Sequence, residues 1–500
     1  MPSAMTAAEL AVPTTAERDD VPAWCRLRVV VPAVVALFLL RLVLIGAVDL
    51  GDDEAYYWSW SRHLDWSYFD HPGMVAWGIR LSTALLGATP FAIRLPTLLW
   101  SAGASVLLFV LARRILPAKP AVAYGALLAA NLAPMLSIGA VFTAPDAPFA
   151  LFWLAALVCA WEARREPRWW YACGVATGLG LVSKYNMVLI GPVLLAWLWT
   201  GGRRAQLKTK EPWIALAIAS LFFAPVVIWN AEHHWASFAF HLVGRHHGRF
   251  LPFTHLGQFA AAQVGLLSPV LLVAVLAGIA LAWRMRATSD AHAFLFWASA
   301  FVPVFFAVLC PFGDFKPHWP AAGWLVGIVP AVEWLLPRRR LGLAAIAVAA
   351  CFTALLYVAP LAPLGAWIPS LPPKADLTNE MHGWAEADAR IAEIKAAMPD
   401  PARTFVFAHM YQNAAQAELH APADWTVTRL GSRHDEYEIV RDDAALAGRD
   451  AIFVSRDGYD LDPIGRFAFR SCEPAGELPY ERGGRVVRTF RFWRCFGYSP

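Results

Sequence analysis

The chain is short of charge. Only 16% of its 500 residues are Asp, Glu, Lys or Arg, against 58% apolar, where a soluble protein carries about 25% charged residues. That deficit excludes an ordinary soluble globular protein and points to a chain that crosses a membrane several times. The formal charge of +4 is too small to argue for nucleic acid; where the basic residues sit matters more than their sum. Cysteine is scarce, and the seven present show no close metal spacing such as C-x-x-C. No G-x-S-x-G occurs, so a serine-nucleophile site has no support. No Walker loop occurs either, so nothing suggests nucleotide hydrolysis. No internal repeat is visible.

What is present is a series of apolar runs of spanning length, separated by charged or Pro-rich gaps. They lie near 29–48, 92–112, 121–137, 146–162, 170–183, 185–200, 212–229, 262–283, 293–310, 319–336 and 341–360. The length criterion makes this about eleven spans. Residues 1–28 are polar, with no apolar core and no clear cleavage site, and read as a cytoplasmic tail before an uncleaved signal-anchor helix. The gaps alternate in charge. One set is basic: Arg113, Arg114 and Lys119; Arg164, Arg165 and Arg168; Arg203, Arg204, Lys208 and Lys210; Arg284 and Arg286; Arg338, Arg339 and Arg340. Basic short loops stay in the cytoplasm, so the other set is expected outside, and an odd number of spans that starts inside ends outside.

The outer set holds nearly every chemically interesting residue. Residues 49–91 read as two amphipathic segments on the membrane, about Asp53 to Leu64 and Pro72 to Leu86. Tyr56, Tyr57, Trp58, Trp60, Trp66 and Trp77 are suited to the interface. Residues 230–261 form a second long outer loop, with an amphipathic segment from Trp235 to Val243. After Pro360 charge returns and no spanning run follows. Residues 361–372 read as a linker or surface segment. Strands are expected at 404–407, 425–427, 451–454 and 486–492, with a helix at 410–419. This is a small α/β domain over 361–500, outside the membrane, where an oxidising compartment would let Cys472 and Cys495 pair.

Carboxylates at a membrane edge are costly to place, so their default reading is functional. Asp53 and Glu54 follow the first span directly and could take a proton from an acceptor hydroxyl or bind a metal. Helix capping accounts for one of Asp52, Asp53 and Glu54, less readily for three in a row. Asp70-His71-Pro72 is a second acidic point in the same loop, with a turn as the bland alternative. Asp146, between two prolines, reads nearly as well as an N-cap; with Asp70 and His71 it is a candidate to bind the acceptor or a metal. Lys184, Arg245, Arg249, Lys316 and His318 are cations on the outer side and together form a candidate anion site, since phosphate recognition favours Arg and Lys. His233, His234, His241, His246, His247 and His255 crowd one loop. Two of them with a carboxylate could ligate zinc, though their spacing matches no established motif.

These blocks resemble the GT-C membrane glycosyltransferases. The nearest groups are the protein O-mannosyltransferase and lipid A aminoarabinose transferase superfamily, and within it bacterial lipopolysaccharide galacturonosyltransferase-like members. The resemblance rests on DEAYYWSWSRHLDWSYFDHPGMVAW, on Thr143 to Pro148, on Gly178 to Asn186, on Trp229-Asn230 and on Lys316 to Pro320. It implies an all-α polytopic domain over 29–360 and inverting transfer from a polyprenyl-phosphate sugar at the periplasmic face of the bacterial inner membrane. The acceptor would be lipid A, core or another glycan, or a protein. Asp53 falls on the family's acidic position. Asp70 falls where relatives have Glu in Glu-Lys-Pro, and His71 replaces that Lys. Lys184 and Lys316 are the implied holders of the lipid phosphate. No cofactor is certain from the sequence, and a divalent metal is admitted.

The residues read by themselves agree with this. A lipid-linked sugar needs an apolar groove for its tail and cations for its phosphate, where charge builds in the transition state. An acceptor hydroxyl needs a base; an acceptor phosphate does not, and Asp53 would then orient the acceptor or a metal. Two other readings compete. A transporter or flippase of lipid-linked sugars would carry ionisable residues near the bilayer midplane, whereas these lie at one face. An inert scaffold would show no activity as a purified chain.

Overall fold

A computed structural model describes residues 21–244, 252–312, 315–368, 370–431, 433–457 and 463–500. Arg245, His246, His247, Arg249 and Asp314 lie outside these residues. The first part of the fold is helical throughout. In chain order the helices are α1 (Leu27–Ala47), α2 (Asp52–Arg62), α3 (Met74–Leu86), α4 (Pro90–Ile115), α5 (Pro120–Leu132), α6 (Pro134–Val141), α7 (Asp146–Glu162), α8 (Trp169–Leu181), α9 (Ile190–Thr200) and α10 (Glu211–Glu232). They continue with α11 (Pro252–Leu267), α12 (Pro269–Met285), α13 (Asp290–Leu309), α14 (Ala321–Leu335) and α15 (Arg339–Val358). Among the described residues five helices are long and apolar enough to cross a membrane, and up to seven if each of two bent pairs is one span. The protein is a multi-pass membrane protein with a mostly helical body.

Two of the expected spans are broken. Between α5 and α6 the axis turns by 63° at Ala133-Pro134, because Pro134 has no N–H to continue the ladder. The carbonyls released there are taken up by side chains. Arg41 Nη2 donates to Asn131 O at 2.6 Å, Ser137 Oγ to the same oxygen at 2.9 Å, and Thr353 Oγ1 to Leu132 O at 2.9 Å. Arg41 Nε also donates to Tyr357 Oη at 2.8 Å, so a buried arginine ties α1, the break and α15 together. The run expected at 262–283 is interrupted by a 103° turn between α11 and α12. There Ser268 takes a left-handed φ of 72° and Pro269 starts the next helix. At the other loop, Pro72 does not open α3; the helix begins at Met74, after Gly73.

Ion pairs show how the helix ends are sorted. Lys119 Nζ meets Glu333 Oε1 at 2.7 Å, and Asp290 Oδ2 receives both Arg164 at 3.2 Å and Arg203 at 2.8 Å. The basic gaps therefore gather at one end of the bundle. At the other end lie α2, α3, the start of α7 and the segment before α14.

The C-terminal part contains α16 (Trp384–Ala396), α17 (Tyr411–His420), α18 (Glu436–Val440) and α19 (Asp443–Leu446), with strands β1 (Phe405–Ala408), β2 (Val427–Arg429), β3 (Ala451–Arg456), β4 (Phe469–Arg482) and β5 (Arg485–Tyr498). The sheet order is β2-β1-β3-β5-β4. β1 runs parallel to β2 and β3, and β5 is antiparallel to β3 and β4. The strand expected at 425–427 starts later, at Val427, because Trp425 is still in a turn with its N–H on Pro422 O. Cys472 and Cys495 are cross-strand partners on β4 and β5 and are joined as a disulfide.

This sheet domain packs directly on α2. Tyr56, Trp58 and Trp60 are buried within one apolar cluster that also holds Trp384, Val406 and Ile452. They are interior residues of this junction, and the interfacial reading of the aromatic stretch is corrected for these three. Trp66 keeps its exposure.

Candidate active site

The first turn of α2 distributes three acidic side chains to three different environments. Helical geometry points successive residues about 100° apart, so neighbours in sequence face different partners. Asp52 is buried and pairs with Arg456 at the end of β3, and Gln416 Nε2 donates to its Oδ1 at 3.3 Å. Glu54 is buried on another side. Arg94 grips it, Gly51 N donates to its Oε2 at 2.9 Å, and Thr143 N donates to its Oε1 at 2.7 Å. With both oxygens engaged, Glu54 cannot receive a substrate proton without breaking this network. This network holds the start of α2.

Asp53 alone is exposed to solvent. Tyr411 Oη, from the start of α17, donates to its Oδ1 at 3.3 Å. Surrounding protein raises its pKa above the ordinary carboxylate value, aided by the charges of Asp52 and Asp70 and opposed by Lys316 and the Tyr411 bond. The same acids act on Glu380. Burial first, then Asp52 and Asp53, lift it to about 7.

Asp70 is buried, with Oδ2 accepting from Tyr56 Oη at 3.1 Å and Oδ1 paired with Arg433 Nη2 at 2.9 Å. Its backbone carbonyl lies 2.7 Å from His241 Nε2. His71 stacks loosely between Tyr57 and His241, at ring separations of 6.4 and 5.7 Å. Asp146 sits at the N-terminus of α7, as a first-turn acid. It is more than a cap, because Lys184 Nζ reaches its Oδ1 at 2.7 Å and His318 Nε2 stands 3.8 Å from its Oδ2. Lys184 is buried in this pair. Lys316 is exposed, and its charge is felt at Asp53.

One phenol connects these groups. Burial, then the charges of Asp53, Asp70 and Asp146, push the Tyr57 hydroxyl well above its ordinary value. Tyr57 is therefore close enough to Asp53, Asp70 and Asp146 to feel all three charges. Asp146, Lys184 and His318 thus meet in one cluster, Asp53 feels Lys316 and Asp70, His71 lies by Tyr57 and His241, Glu54 turns to Arg94, and Arg245 lies outside the described residues. Sequence reasoning missed Tyr57, Tyr411, Arg433 and Arg94. Tyr57 stood in plain view but carried the same signal as its belt-like neighbours; Tyr411 and Arg433 lie more than 300 positions further along the chain.

Among the described residues no three His, Cys, Asp or Glu side chains are arranged to hold a metal ion. His233 instead stacks on Trp229 at 4.2 Å, and His241 turns to Asp70. A cavity of about 250 Å³ lies between α2 and the sheet domain and is lined by Ser59, His63, Glu418, Glu436 and Arg441 among others. It does not include Asp53.

Residues 70–229 match the family model described as dolichyl-phosphate-mannose-protein mannosyltransferase. The chain is 28% identical over 317 residues to the lipid A galacturonosyltransferase RgtD of Rhizobium johnstonii, covering 61% of this chain and 64% of that one. It is 30% identical over 171 residues to an undecaprenyl phosphate-alpha-4-amino-4-deoxy-L-arabinose arabinosyl transferase of Sodalis glossinidius, covering 33% and 30% respectively. The matches therefore span just under two thirds of the first relative and under a third of the second. Crystal structures of ArnT from Cupriavidus metallidurans, in the apo state and bound to undecaprenyl phosphate, share the fold. The TM-score is 0.63 at 18% identity, over 92% of this chain and 97% of theirs. The resemblance to GT-C membrane glycosyltransferases read from the sequence is borne out by these similarities.

Proposed function

We propose that the protein is an inverting glycosyltransferase that moves a sugar from a polyprenyl-phosphate donor to a cell-envelope acceptor, with lipid A the first candidate. The observation that carries the reading is the placement of Asp53. It is an accessible carboxylate of raised basicity that feels the charge of Lys316, and Lys184 and His318 gather on Asp146 nearby in the same loop cluster. In the transfer, the bond from the anomeric carbon to the donor phosphate breaks as the acceptor oxygen bonds to that carbon from the opposite side. The acceptor proton goes to Asp53, and the negative charge left on the lipid phosphate is met by Lys184 and Lys316. A raised pKa makes Asp53 a stronger base, closer to the working pH. Tyr57, kept protonated, is a donor close to Asp53.

The proposed orientation puts the acidic end of the bundle and residues 361–500 in the periplasm, residues 1–28 in the cytoplasm, and eleven spans over 29–360 in the inner membrane. Two features support it: the basic gaps gather at the opposite end, and a disulfide is favoured in an oxidising compartment. The test is transfer by the purified chain in vesicles from a polyprenyl-phosphate sugar to lipid A. Asp53→Asn is expected to lose about 10²–10⁴ in turnover with its melting temperature unchanged. Undiminished turnover would remove Asp53 as the base, and sugar crossing the vesicle without a new glycosidic bond would favour a flippase.

A further inference from the structure

The three parallel strands β2, β1 and β3 end at one edge of the sheet, and that edge faces α2. The residues that leave or close these strands reach one carboxylate each. Tyr411, after β1, meets Asp53 at 3.3 Å; Arg433, after β2, meets Asp70 at 2.9 Å; Arg456, closing β3, pairs with Asp52. Open α/β sheets take their ligands in the crevice outside the carboxyl ends of their strands. Here those strand ends are set against Asp52, Asp53 and Asp70.

The three contacts differ in kind. Arg456 and Asp52 are both buried, which fits a joint between domains. Arg433 keeps 35% of its side chain exposed. Its guanidinium carbon lies 4.4 Å from the centre of the Tyr411 ring and 5.5 Å from that of the Phe240 ring, two aromatic contacts that restrict where it can move. Asp70 takes one N–H of the five that the fork carries, and the Tyr411 hydroxyl takes another. Three remain for a further acceptor. The cations expected to hold the lipid phosphate, Lys184 and Lys316, come from the helical body. Arg433 comes from the charged sheet domain on the opposite wall.

We propose that the sheet domain forms the solvent-side wall of the site and that Arg433 receives an anionic group there, either a carboxylate on the transferred sugar or a phosphate on the acceptor, distinct from the phosphate that joins donor sugar to lipid. This rests on the glycosyl-transfer reading above. A planar fork matches either oxyanion in two-pronged fashion, and the remaining N–H groups provide it while Asp70 holds the residue in register.

Full-length wild type, Arg433→Gln and Arg433→Lys are compared in vesicles. Donors carry a hexuronic acid or the matching neutral hexose; acceptors are lipid A with and without its phosphates. Arg433→Gln is expected to raise KM about tenfold or more for the one substrate that carries the recognised anion. That is the uronic donor if the carboxylate is bound and the phosphorylated acceptor if the phosphate is. KM for the neutral counterpart should stay in place. Arg433→Lys keeps the charge but not the fork, and is expected to recover part of the loss, which a purely structural role would not predict. Equal KM values across all pairs, or equal losses for charged and neutral substrates, would overturn the assignment. Absence of any transfer by the wild type would instead overturn the glycosyl-transfer reading, and this inference with it.

Discussion

Arg94 holds Glu54 by two parallel bonds, Nε to Oε1 at 2.8 Å and Nη2 to Oε2 at 2.6 Å, with both side chains sealed from solvent. The same guanidinium donates to the carbonyls of Val48 and Asp49 at 2.7 and 2.8 Å, groups that the end of α1 would otherwise leave unpaired. The pair thus fixes the exit of the first span, the start of α2 and, through Thr143, the approach to Asp146. Removing one partner of a buried pair strands the other charge, at a cost of about 3–5 kcal/mol. Glu54→Gln and Arg94→Met are each expected to lower the melting temperature strongly and to lose activity with it. Asp53→Asn should lose activity alone. A Glu54→Gln protein that melts like wild type yet is inactive would return Glu54 to the chemistry.

Lys184 and Asp146 offer a sharper contrast. Lys184 is buried and Asp146 partly open, so the lysine is held toward the site by a carboxylate that solvent can share. If the lysine receives the donor phosphate, Asp146→Asn frees it for that task, while Lys184→Gln removes it. Binding of polyprenyl phosphate alone is expected to weaken about tenfold or more in Lys184→Gln and to hold or tighten in Asp146→Asn. Equal weakening in both, accompanied by equal loss of stability, would reduce the pair to a structural joint.

The sequence was most readable where one physical rule dominated. Long apolar runs between basic gaps located the helices, because the cost of burying a charge in lipid leaves little freedom. Two breaks escaped notice because Ala133-Pro134 and Ser268-Pro269 sit inside runs that stay apolar across the turn. In the sheet domain β4 was invisible: most of its residues are exposed, and Pro474 and Gly476 flank a register shift, so no alternation survives. α16 had a helical pattern, with Trp384, Ala387, Ile391 and Ile394 buried, masked by the charges between them. Among the site residues, Asp53 was legible from its position after a span. Its separation from Glu54 was not, because two adjacent carboxylates look alike until Arg94 and Thr143 arrive from elsewhere in the chain.

The disulfide yields a chemical count. Cys472 and Cys495 are joined, and the other cysteines, Cys25, Cys159, Cys173, Cys310 and Cys351, are free thiols. Alkylation of the denatured, unreduced protein should therefore label those five, and alkylation after reduction all seven. Closing a loop of this size is worth about 3 kcal/mol in the chain-entropy account, so Cys472→Ser should melt earlier than wild type. Seven labelled cysteines without reductant, in protein taken from intact cells, would refute both the bond and the support it lends to an outer location.

Asp388 provides a test in the other direction, a substitution that stabilises. It lies on α16, and its two carboxylate oxygens are buried with no hydrogen-bond partner among the described residues. Burial raises its pKa to about 8, so the fold favours the neutral acid. Below the unfolded value of about 3.9 both states are protonated and the group adds no pH-dependent cost. As pH rises from there toward 8, the unfolded chain ionises while the folded one resists. Stability is then lost at a rate of up to about 1.4 kcal/mol per pH unit. Asp388→Asn removes the titration and keeps the shape. Its melting temperature should match wild type near pH 4 and exceed it by several degrees at pH 8, with the gap widening between. A gap that does not change with pH would mean that the carboxyl is solvated or paired in the folded protein.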